Sequence, residues 1–312
     1  MSFEPKTQAF NSSISSVTIG TGDKAVTLGG INVLPFYAFD APITNAPKIG
    51  VEITDHGMAA YPQAGLQEFY AGCQTVADMA KRVETMHGAS FICLHFEGAD
   101  PNGDNRSIEE CVAKSVADAT DLPLVIMGCK NIEKDAELFT KVSEALQGKN
   151  ILVFSAREEN YKSVGASAVM AYGQKVGAES AVDINLAKQL NVLMTQLGVA
   201  PTSIVMNAGS AAAGYGYEYV ASTLDRIRAA ALAQSDTQLQ MPILTPVSPE
   251  TWSVKESMVS EADMPEWGSA EERGIEMEIT TAAACLAGGS DAVIMRHPAA
   301  IKAISEMIEA LV

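Results

Sequence analysis

The sequence predicts a single (β/α)8 barrel preceded by an N-terminal β-hairpin. Eight short runs of apolar and β-branched residues alternate with eight stretches in which apolar residues recur every three or four positions. Continuous apolar runs are typical of strands in a parallel sheet, and the wider spacing is typical of amphipathic helices. The length of 312 residues suits one barrel, since such barrels run to about 250 residues or more.

Residues 1–48 are the predicted N-terminal extension, and residues 49–312 are the predicted barrel. Val17–Gly20 and Ala25–Gly29 flank the turn Thr21–Lys24, a pattern that predicts a β-hairpin. We expect this hairpin to close the bottom of the barrel. The segment Leu34–Lys48, which contains three prolines, then leads into the first barrel strand.

The eight predicted strands are short, and each ends where a loop at the barrel mouth begins. They are Ile49–Ile53, Ser90–His95, Leu122–Met127, Ile151–Phe154, Lys175–Ala178, Ser203–Met206, Pro242–Leu244 and Asp291–Met295. Eight consecutive βα units favour a closed barrel, although an open doubly wound sheet is the alternative.

Several predicted helices carry the residues that usually begin or end a helix. Asn131 and Asp183 stand where N-caps are expected, and Pro298 stands in the first turn of the last helix. His297 is expected to help start that helix. Glycines are expected to end the first, third and fifth helices; they are Gly88, Gly148 and Gly198.

Two loops at the predicted mouth are longer than the rest. They are Thr54–Gly72 after the first strand and Thr245–Gly268 after the seventh. Long loops in a compact domain are usually functional, and in barrels the loops after the strands form the working face. The seventh loop contains both tryptophans of the protein, Trp252 and Trp267.

The sixth strand leads into a segment of small residues that runs from Asn207 to Tyr217. Small residues at a helix entrance expose backbone N–H groups, which could bind a phosphate or an amide-rich ligand. A tight turn without a ligand explains the same residues. Tyr215, Tyr217 and Tyr219 add flat surfaces suited to a large planar ligand or a partner.

Acidic residues follow several predicted strands, at positions where barrel enzymes place acids and bases. They are Glu52, Asp55, Glu97, Asp100 and Glu179. Helix capping and bonds to loop amides explain such carboxylates equally well. His56 is the histidine expected at the mouth, whereas His87 and His95 are expected to form core or surface bonds.

The composition argues against several classes of function. The formal net charge of −17 disfavours nucleic acids and anionic membranes, since both require clustered Lys and Arg. No apolar run approaches the roughly 20 residues of a membrane span, and the first ten residues lack a signal-peptide pattern. We therefore expect a cytoplasmic protein.

The five cysteines predict no metal centre held by this chain alone. None of them forms a Cys-x-x-Cys pair, the spacing usual for zinc and iron–sulfur ligands. Cys93 falls in a predicted strand, and Cys111 and Cys285 fall in predicted helices. Buried, reduced thiols are the simplest interpretation of these positions.

Seven strings, in order, resemble the small subunit of the corrinoid iron–sulfur protein, which is the delta subunit family of acetyl-CoA decarbonylase/synthase complexes. The resemblance spans about Gly29 to Ala300. The strings are Gly29–Asp40, Pro47–Asp55, Ile92–Asn102, Gly214–Tyr219, Leu239–Pro242, Glu272–Ile275 and Ile294–Pro298.

The resemblance implies a TIM barrel paired one-to-one with a large subunit, which carries a [4Fe-4S] cluster and a mobile corrinoid domain. The corrinoid would lie between that domain and this barrel. The pair would carry a methyl group from methyltetrahydrofolate, through a separate methyltransferase, to acetyl-CoA synthase/CO dehydrogenase in the reductive acetyl-CoA pathway. The residues expected to contact the corrinoid are Trp252, Asn207, Tyr215, His56, Glu97 and Thr245.

Two other functions remain open at this point. A pterin-binding methyltransferase barrel would hold its ligand with mouth side chains such as Asp55, Asn102 and Asn207. An ordinary lyase or isomerase would use Glu97 and His56 as acid and base.

Overall fold

The computed structural model describes residues 6–107 and 113–312 and contains a two-stranded hairpin and an eight-stranded parallel sheet. In the hairpin, β1 (Ser16–Ile19) pairs antiparallel with β2 (Val26–Gly29), and a 3-10 turn at Gly22–Lys24 joins them. The barrel strands are β3 (Lys48–Thr54), β4 (Ala89–His95), β5 (Leu124–Met127), β6 (Leu152–Ala156), β7 (Lys175–Glu179), β8 (Ile204–Asn207), β9 (Leu244–Pro246) and β10 (Ala292–Met295).

The sheet closes on itself, so the predicted barrel is confirmed over the open sheet. Each strand pairs with the next in the chain from β3 to β8, and β10 pairs with both β3 and β9. A parallel bridge between Met206 and Ile243 joins β8 to β9.

The predicted strands agree with the observed ones to within about two residues at most ends. The seventh strand differs most, because it begins at Leu244 and not at Pro242. The imide nitrogen of a proline such as Pro242 cannot donate to a ladder, and the N–H of Ile243 donates to the Asp291 carboxylate at 2.7 Å. Regular pairing therefore starts two residues later than predicted, at Leu244.

Within the described ranges, eight helices surround the barrel, and three short ones lie in the two long mouth loops. The outer helices are α2 (Val76–Val83), α3 (Ala113–Ala119), α4 (Ile132–Ala145), α5 (Tyr161–Val164), α6 (Ile184–Leu197), α7 (Tyr217–Arg228), α10 (Ala270–Gly288) and α11 (Pro298–Leu311). The loop helices are α1 (Ala64–Phe69), α8 (Ser248–Thr251) and α9 (Lys255–Met258). None of these helices is long and apolar enough to cross a membrane.

The predicted helix starts are confirmed. The side chain of Asn131 accepts the N–H of Lys134, and Asp183 accepts the N–H groups of the first turn of α6. Pro298 is the first residue of α11, and His297 caps that helix by accepting the N–H of Ala299. These contacts satisfy N–H groups that the first turn leaves without partners.

The predicted glycine helix ends are confirmed in one case. Gly198 ends α6 in the left-handed conformation, with φ of 107°. Helix α2 ends at Val83 and α4 at Ala145, several residues before Gly88 and Gly148. Both of those glycines have positive φ, in the turns that follow the helices.

The hairpin lies at the N-terminal end of the barrel. Asn150, which precedes β6, donates its side-chain amide to the carbonyls of Thr18 and Gly20. Val17, Ile19 and Leu28 are buried in one cluster with the inward side chains of the barrel strands. The hairpin and the barrel therefore share a core, and burying each of these side chains stabilises the folded state by roughly 1.5–3 kcal/mol. The hairpin covers this end of the barrel and leaves the mouth at the other end uncovered.

Four of the five cysteines lie in the described residues, and all four are free thiols. Cys93 and Cys285 are buried, as predicted, while Cys73 and Cys129 are half-buried. Burial raises the pKa of the Cys285 thiol to about 12. Cys111 lies outside the described residues.

Candidate functional site

Two adjoining cavities open at the mouth, where the C-terminal ends of the barrel strands meet. The first cavity has a volume of about 410 Å³ and is lined by His95, Glu97, Asp100, Cys129, Lys130, Pro249, Trp252, Ser253 and Arg296. The second has a volume of about 240 Å³, and its lining includes Met127, Lys130, Phe154, Ser155, Arg157, Glu179, Ala181, Val182, Asn207, Gly209, Ser210, Pro246 and Pro249. Lys130 and Pro249 line both cavities.

A buried ion pair forms the floor of the first cavity. The Glu52 carboxylate accepts from Arg296, with Nε at 3.0 Å and Nη2 at 2.9 Å, and lies 2.7 Å from His95 Nδ1. Ile294 on β10 and Cys93 on β4 belong to the inward-facing cluster. Because strand side chains alternate, Arg296 and His95 continue the inward faces of their strands.

Glu52 is charged at neutral pH although it is fully buried. Burial by itself would raise the pKa of Glu52, but the Arg296 guanidinium and the bond to His95 outweigh it and lower the pKa to about 2. The same pairing raises the pKa of Arg296 against its own burial. The floor of the first cavity therefore carries fixed, paired charges.

Tyr61, from the loop after β3, packs against this pair. Its buried hydroxyl accepts the N–H of Thr54 at 3.0 Å and donates to the carbonyl of Glu52 at 3.3 Å. The guanidinium of Arg296 lies 5.3 Å from the centre of the Tyr61 ring, within the range of a cation–π contact. Tyr61 thus fixes the first mouth loop to the ion pair.

A second buried carboxylate, Glu278 of α10, holds the backbone that follows β10. It accepts the N–H of Arg296 at 2.6 Å and that of His297 at 3.1 Å. Burial raises the pKa of Glu278 to about 7, because the two backbone donors and Arg296 only partly offset the loss of water. Helix α10 therefore positions Arg296 by accepting a hydrogen bond from the main chain of that residue.

His297 connects the first and seventh mouth loops. Its Nε2 lies 3.0 Å from Glu271, and Glu271 also accepts the N–H groups of Ala64 and Gly65 at the start of α1. The ring of His297 stacks on Trp252, with centroids 5.8 Å apart and planes 25° apart. Burial lowers the pKa of His297, and Glu271 opposes that effect. The Nδ1 atom accepts the N–H of Ala299, so the ring hydrogen lies on Nε2, toward Glu271.

The second cavity has its own polar network. Asn207 Nδ2 donates to Ser155 Oγ at 3.0 Å, and that hydroxyl donates to Glu179 at 2.7 Å. The other oxygen of Glu179 accepts from Arg157 at 3.0 and 2.8 Å. The network joins the ends of β6, β7 and β8.

Three non-glycine residues that line the second cavity have left-handed backbone conformations. They are Lys130, Ala181 and Val182, with φ of 68°, 46° and 65°. Such a conformation costs on the order of 1–3 kcal/mol, and for a β-branched residue it is a clear outlier. Strain of this kind is concentrated at functional sites.

Glu52, His95 and Glu97 offer ligand atoms that lie within 4.8 Å of one another, a spacing that a metal ion could use. Both oxygens of Glu52 are already engaged, one by His95 and one by Arg296. A cation at this point would meet the guanidinium of Arg296. We therefore assign no metal to the group.

The structure brings three of the six predicted contact residues to the cavities. Trp252 and Glu97 line the first cavity, and Asn207 lines the second. Trp252 is 8% exposed, whereas the Glu97 side chain is 37% exposed and lies 3.6 Å from His95.

The other three predicted residues line neither cavity. His56 lies 3.7 Å from Asp104, and the exposed Tyr215 donates its hydroxyl to Glu256. Thr245 is fully buried and shares a hydrogen bond with Ser290. Its neighbour Leu244 faces the barrel interior, so the alternation of β9 turns Thr245 toward the helices.

The three residues proposed for pterin binding do not converge. Asn207 lines the second cavity, while the exposed Asn102 bonds to Asp100. Asp55 is buried, accepts the N–H of Gly98 and lines neither cavity.

Arg296, Glu278 and Glu271 organise the mouth, and the sequence did not predict them. Arg296 could have been found by its spacing, because it continues the inward positions 292 and 294 of the last strand. Glu278 and Glu271 lie on a helix whose partners come from other elements, and no local pattern marks them. His95 was expected to form core or surface bonds, and it lies buried against Glu52.

Comparison with solved structures defines the class of fold. Dihydropteroate synthase from Thermus thermophilus, in complex with 6HMPPP, superimposes with a TM-score of 0.57 at 13% identity, covering 95% of this chain and 100% of that one. The Yersinia pestis enzyme gives 0.54 at 15% identity, with 85% and 92% covered. The molecule is a TIM barrel, and at this identity the likeness concerns the fold alone.

The family follows from the sequence. Residues 16–307 match the model of the CO dehydrogenase/acetyl-CoA synthase delta subunit. The acetyl-CoA decarbonylase/synthase complex subunit delta of Archaeoglobus fulgidus is 31% identical over 322 residues, covering 99% of this chain and 71% of that protein. The subunit delta of Methanothermobacter thermautotrophicus is 30% identical, covering 98% and 78%. The chain belongs to this delta subunit family, as its motifs predicted.

Proposed function

We propose that this chain is the small subunit of a corrinoid iron–sulfur methyl carrier, and that its barrel mouth covers the corrinoid held by a large partner subunit. The observation that carries the proposal is the mouth itself. It presents two adjoining cavities, and its innermost charged groups are already paired with one another. Family membership supports the same role.

The mouth residues fit a broad, flat ligand. The two cavities meet at Lys130 and Pro249, so together they form one extended concave face. Trp252 provides an aromatic wall that His297 and α10 hold in place. A bound corrinoid supplies the cobalt that carries the methyl group, and an enclosing wall protects such a centre from water and oxidants.

The chain's own contribution is to bind and to exclude water. Glu52 is tied to Arg296, and Glu278 is tied to backbone donors, so neither carboxylate is placed to transfer a proton to a ligand in the first cavity. In this proposal the [4Fe-4S] cluster and the corrinoid belong to the large subunit. The methyl group arrives from a methyltetrahydrofolate methyltransferase and leaves to acetyl-CoA synthase in a cytoplasmic complex.

The fluorescence of Trp252 tests the proposal. In a Trp267→Phe variant, Trp252 is the only tryptophan of the chain. Adding the corrinoid-loaded large subunit should strongly quench its emission, because the corrin absorbs in the range where tryptophan emits. Adding the large subunit without corrinoid should leave the emission nearly unchanged. Equal emission in the two complexes would contradict the covering role.

A further inference from the structure

We propose that the second cavity is a subsite for a neutral carboxamide, and that Asn207 binds one peripheral carboxamide side chain of the corrinoid there. This inference rests on the proposed function, because it assigns a ligand chemistry to part of the covering face. It concerns the ends of β6, β7 and β8, on the far side of Lys130 and Pro249 from the Glu52–Arg296 pair.

The hydrogen bonds of Asn207 fix which atom of its amide is which. Gly209 donates its N–H to Asn207 Oδ1 at 3.1 Å. Ser155 Oγ donates to Glu179, so it must accept from Asn207 Nδ2. An amide has two N–H donors and two acceptor lone pairs. One donor and one lone pair of Asn207 are therefore unused by the residues that the structure describes.

The unused N–H donor and the unused oxygen lone pair of Asn207 together match a carboxamide. A primary carboxamide also carries an N–H donor beside a carbonyl acceptor, so the two groups can bond in both directions at once. Ser210 lines the same cavity, and its hydroxyl has no partner within the described residues. It can supply one more bond to the same ligand group.

The charges around the cavity favour a neutral group over an anion. Arg157 is paired with Glu179 at 2.8 Å, and Lys130 lies 3.4 Å from Glu250. An added carboxylate would have no free counter-charge in the described lining, where Asp135 adds a third carboxylate, and burying an unpaired charge is costly. A neutral amide meets no such penalty.

The apolar part of the lining suits the methylene arm that carries such an amide. Met127, Phe154 and Pro246 form walls of the cavity. Its volume of about 240 Å³ leaves room for several waters. A short arm with a terminal amide can enter and displace several of them.

The strained backbone of this cavity holds Asn207 in position. Ser180 and Val182 donate their N–H groups to the carbonyls of Asn207 and Ala208. Gly209 approaches Val182 so closely that an added Cβ would lie 2.8 Å from its side chain. The left-handed segment at Ala181 and Val182 thus fits against the strand end that carries Asn207, which is the kind of preorganisation a binding site uses.

Two ligands named in the proposed function, the corrinoid and methyltetrahydrofolate, carry an N–H donor beside a carbonyl acceptor. The corrin ring bears acetamide and propionamide arms on its periphery, and the pterin ring of folates pairs a ring N–H with a carbonyl. We assign the cavity to the corrin arm, because the cavity adjoins the face proposed to cover the macrocycle. Binding measurements with each ligand separate the two sources.

The test measures how strongly this chain prefers the corrinoid-loaded large subunit to the same subunit without corrinoid. The ratio of the two Kd values isolates contacts to the corrinoid. Asn207→Leu should reduce this ratio about tenfold, because two neutral hydrogen bonds are lost. Ser210→Ala, which removes a hydroxyl without a partner among the described residues, should reduce it by about threefold. Asn102→Leu is the matched control, since Asn102 is exposed and lines neither cavity, and it should leave the ratio unchanged.

The outcomes separate this inference from the proposed function. If the wild-type chain binds both forms of the large subunit equally, the covering role itself fails. If the wild type prefers the loaded form and both Asn207→Leu and Ser210→Ala keep the full preference, only the carboxamide subsite is wrong. If the isolated chain binds methyltetrahydrofolate and Asn207→Leu abolishes that binding without changing the corrinoid preference, the cavity belongs to the pterin.

Discussion

Glu52 is a charged and fully buried residue at the mouth, so the loss of water around its carboxylate costs free energy that its partners must offset. Its carboxylate is stable there only through Arg296 and His95. Removing one partner of a buried pair leaves the other without compensation, which costs about 3–5 kcal/mol. The mouth floor is therefore a structural element on which the cavity shape depends.

Glu52→Gln should accordingly destabilise the protein by about 3–5 kcal/mol, measured by urea unfolding at pH 7. The pKa of Glu52 is lowered to about 2, so its contribution is present above pH 4.5 and is lost as the pH falls toward 2. The loss of stability caused by the substitution should shrink over that range.

Glu97→Gln, beside the same histidine but partly exposed, should cost no more than about 1 kcal/mol of stability and should reduce the methyl-transfer rate only modestly.

Glu278 has the opposite dependence on pH. Burial raises its pKa to about 7, so its stabilising contribution is complete below pH 4.5 and is lost as the pH rises through 7. Glu278→Gln removes this titration. The stability of the variant relative to wild type should rise by up to about 3 kcal/mol between pH 4.5 and pH 8. Glu276→Gln, exposed on the same helix, should show no such trend, and a flat difference for Glu278→Gln as well would mean that the carboxyl titrates normally.

At the scale of elements, the sequence predicted what depends on local pattern. Strand positions follow from short continuous apolar runs and helix positions from the period of 3.6, and Asn131 and Asp183 cap their helices through bonds within the next few residues. The lengths of the two mouth loops indicated the working face. What could not be predicted is how the first loop is tied to α10, the helix that follows the seventh loop, since Glu271 bonds to Gly65 across 206 positions.

The seventh loop depends on a close contact between Trp252 and Gly274 of α10. A Cβ on Gly274 would lie 2.2 Å from the indole ring, so Gly274→Ala must displace Trp252 from the wall of the first cavity. We expect a loss of about 1–3 kcal/mol and a red shift of Trp252 emission in the Trp267→Phe background. Gly288→Ala lies in the same helix, and the atom nearest to its added Cβ would be a Leu224 methyl carbon at 3.2 Å. Gly288→Ala should change stability and Trp252 emission little. Equal effects of the two substitutions would show that they act by altering helix α10 and not by displacing Trp252.

For the whole molecule, the barrel and the family were predictable, whereas the composition of the mouth was only partly so. Closure follows from eight consecutive βα units, and the hairpin plugs the end opposite the cavities. Of the six residues predicted to contact the corrinoid, Trp252, Glu97 and Asn207 line the cavities. The direction of a side chain such as Thr245 depends on strand register, which became visible only with the neighbouring strands in place.

The mouth is the face of the barrel proposed to cover the corrinoid, so the carrier as a whole must open in order to react. A cobalt face covered by this mouth cannot meet a methyl donor or acceptor at the same time. Under the proposed function, the corrinoid domain of the partner would therefore have to leave the mouth and return in each cycle. Domain motions of this kind run on microsecond-to-millisecond timescales and can limit turnover.

A tether between the seventh loop and the corrinoid domain tests this cycle. Met258 is 66% exposed within that loop, and a Met258→Cys variant can be joined by a disulfide to a cysteine on the corrinoid domain, with Cys73 and Cys129 replaced by serine. The tethered complex should keep its corrinoid but accept no methyl group from the methyltransferase, and reduction should restore the rate. Asp23→Cys, in the hairpin at the opposite end of the barrel, serves as the control and should leave methylation unaffected when joined to the partner by a long linker. Methyl transfer at the normal rate in the Met258-tethered complex would show that the mouth does not cover the corrinoid between transfers.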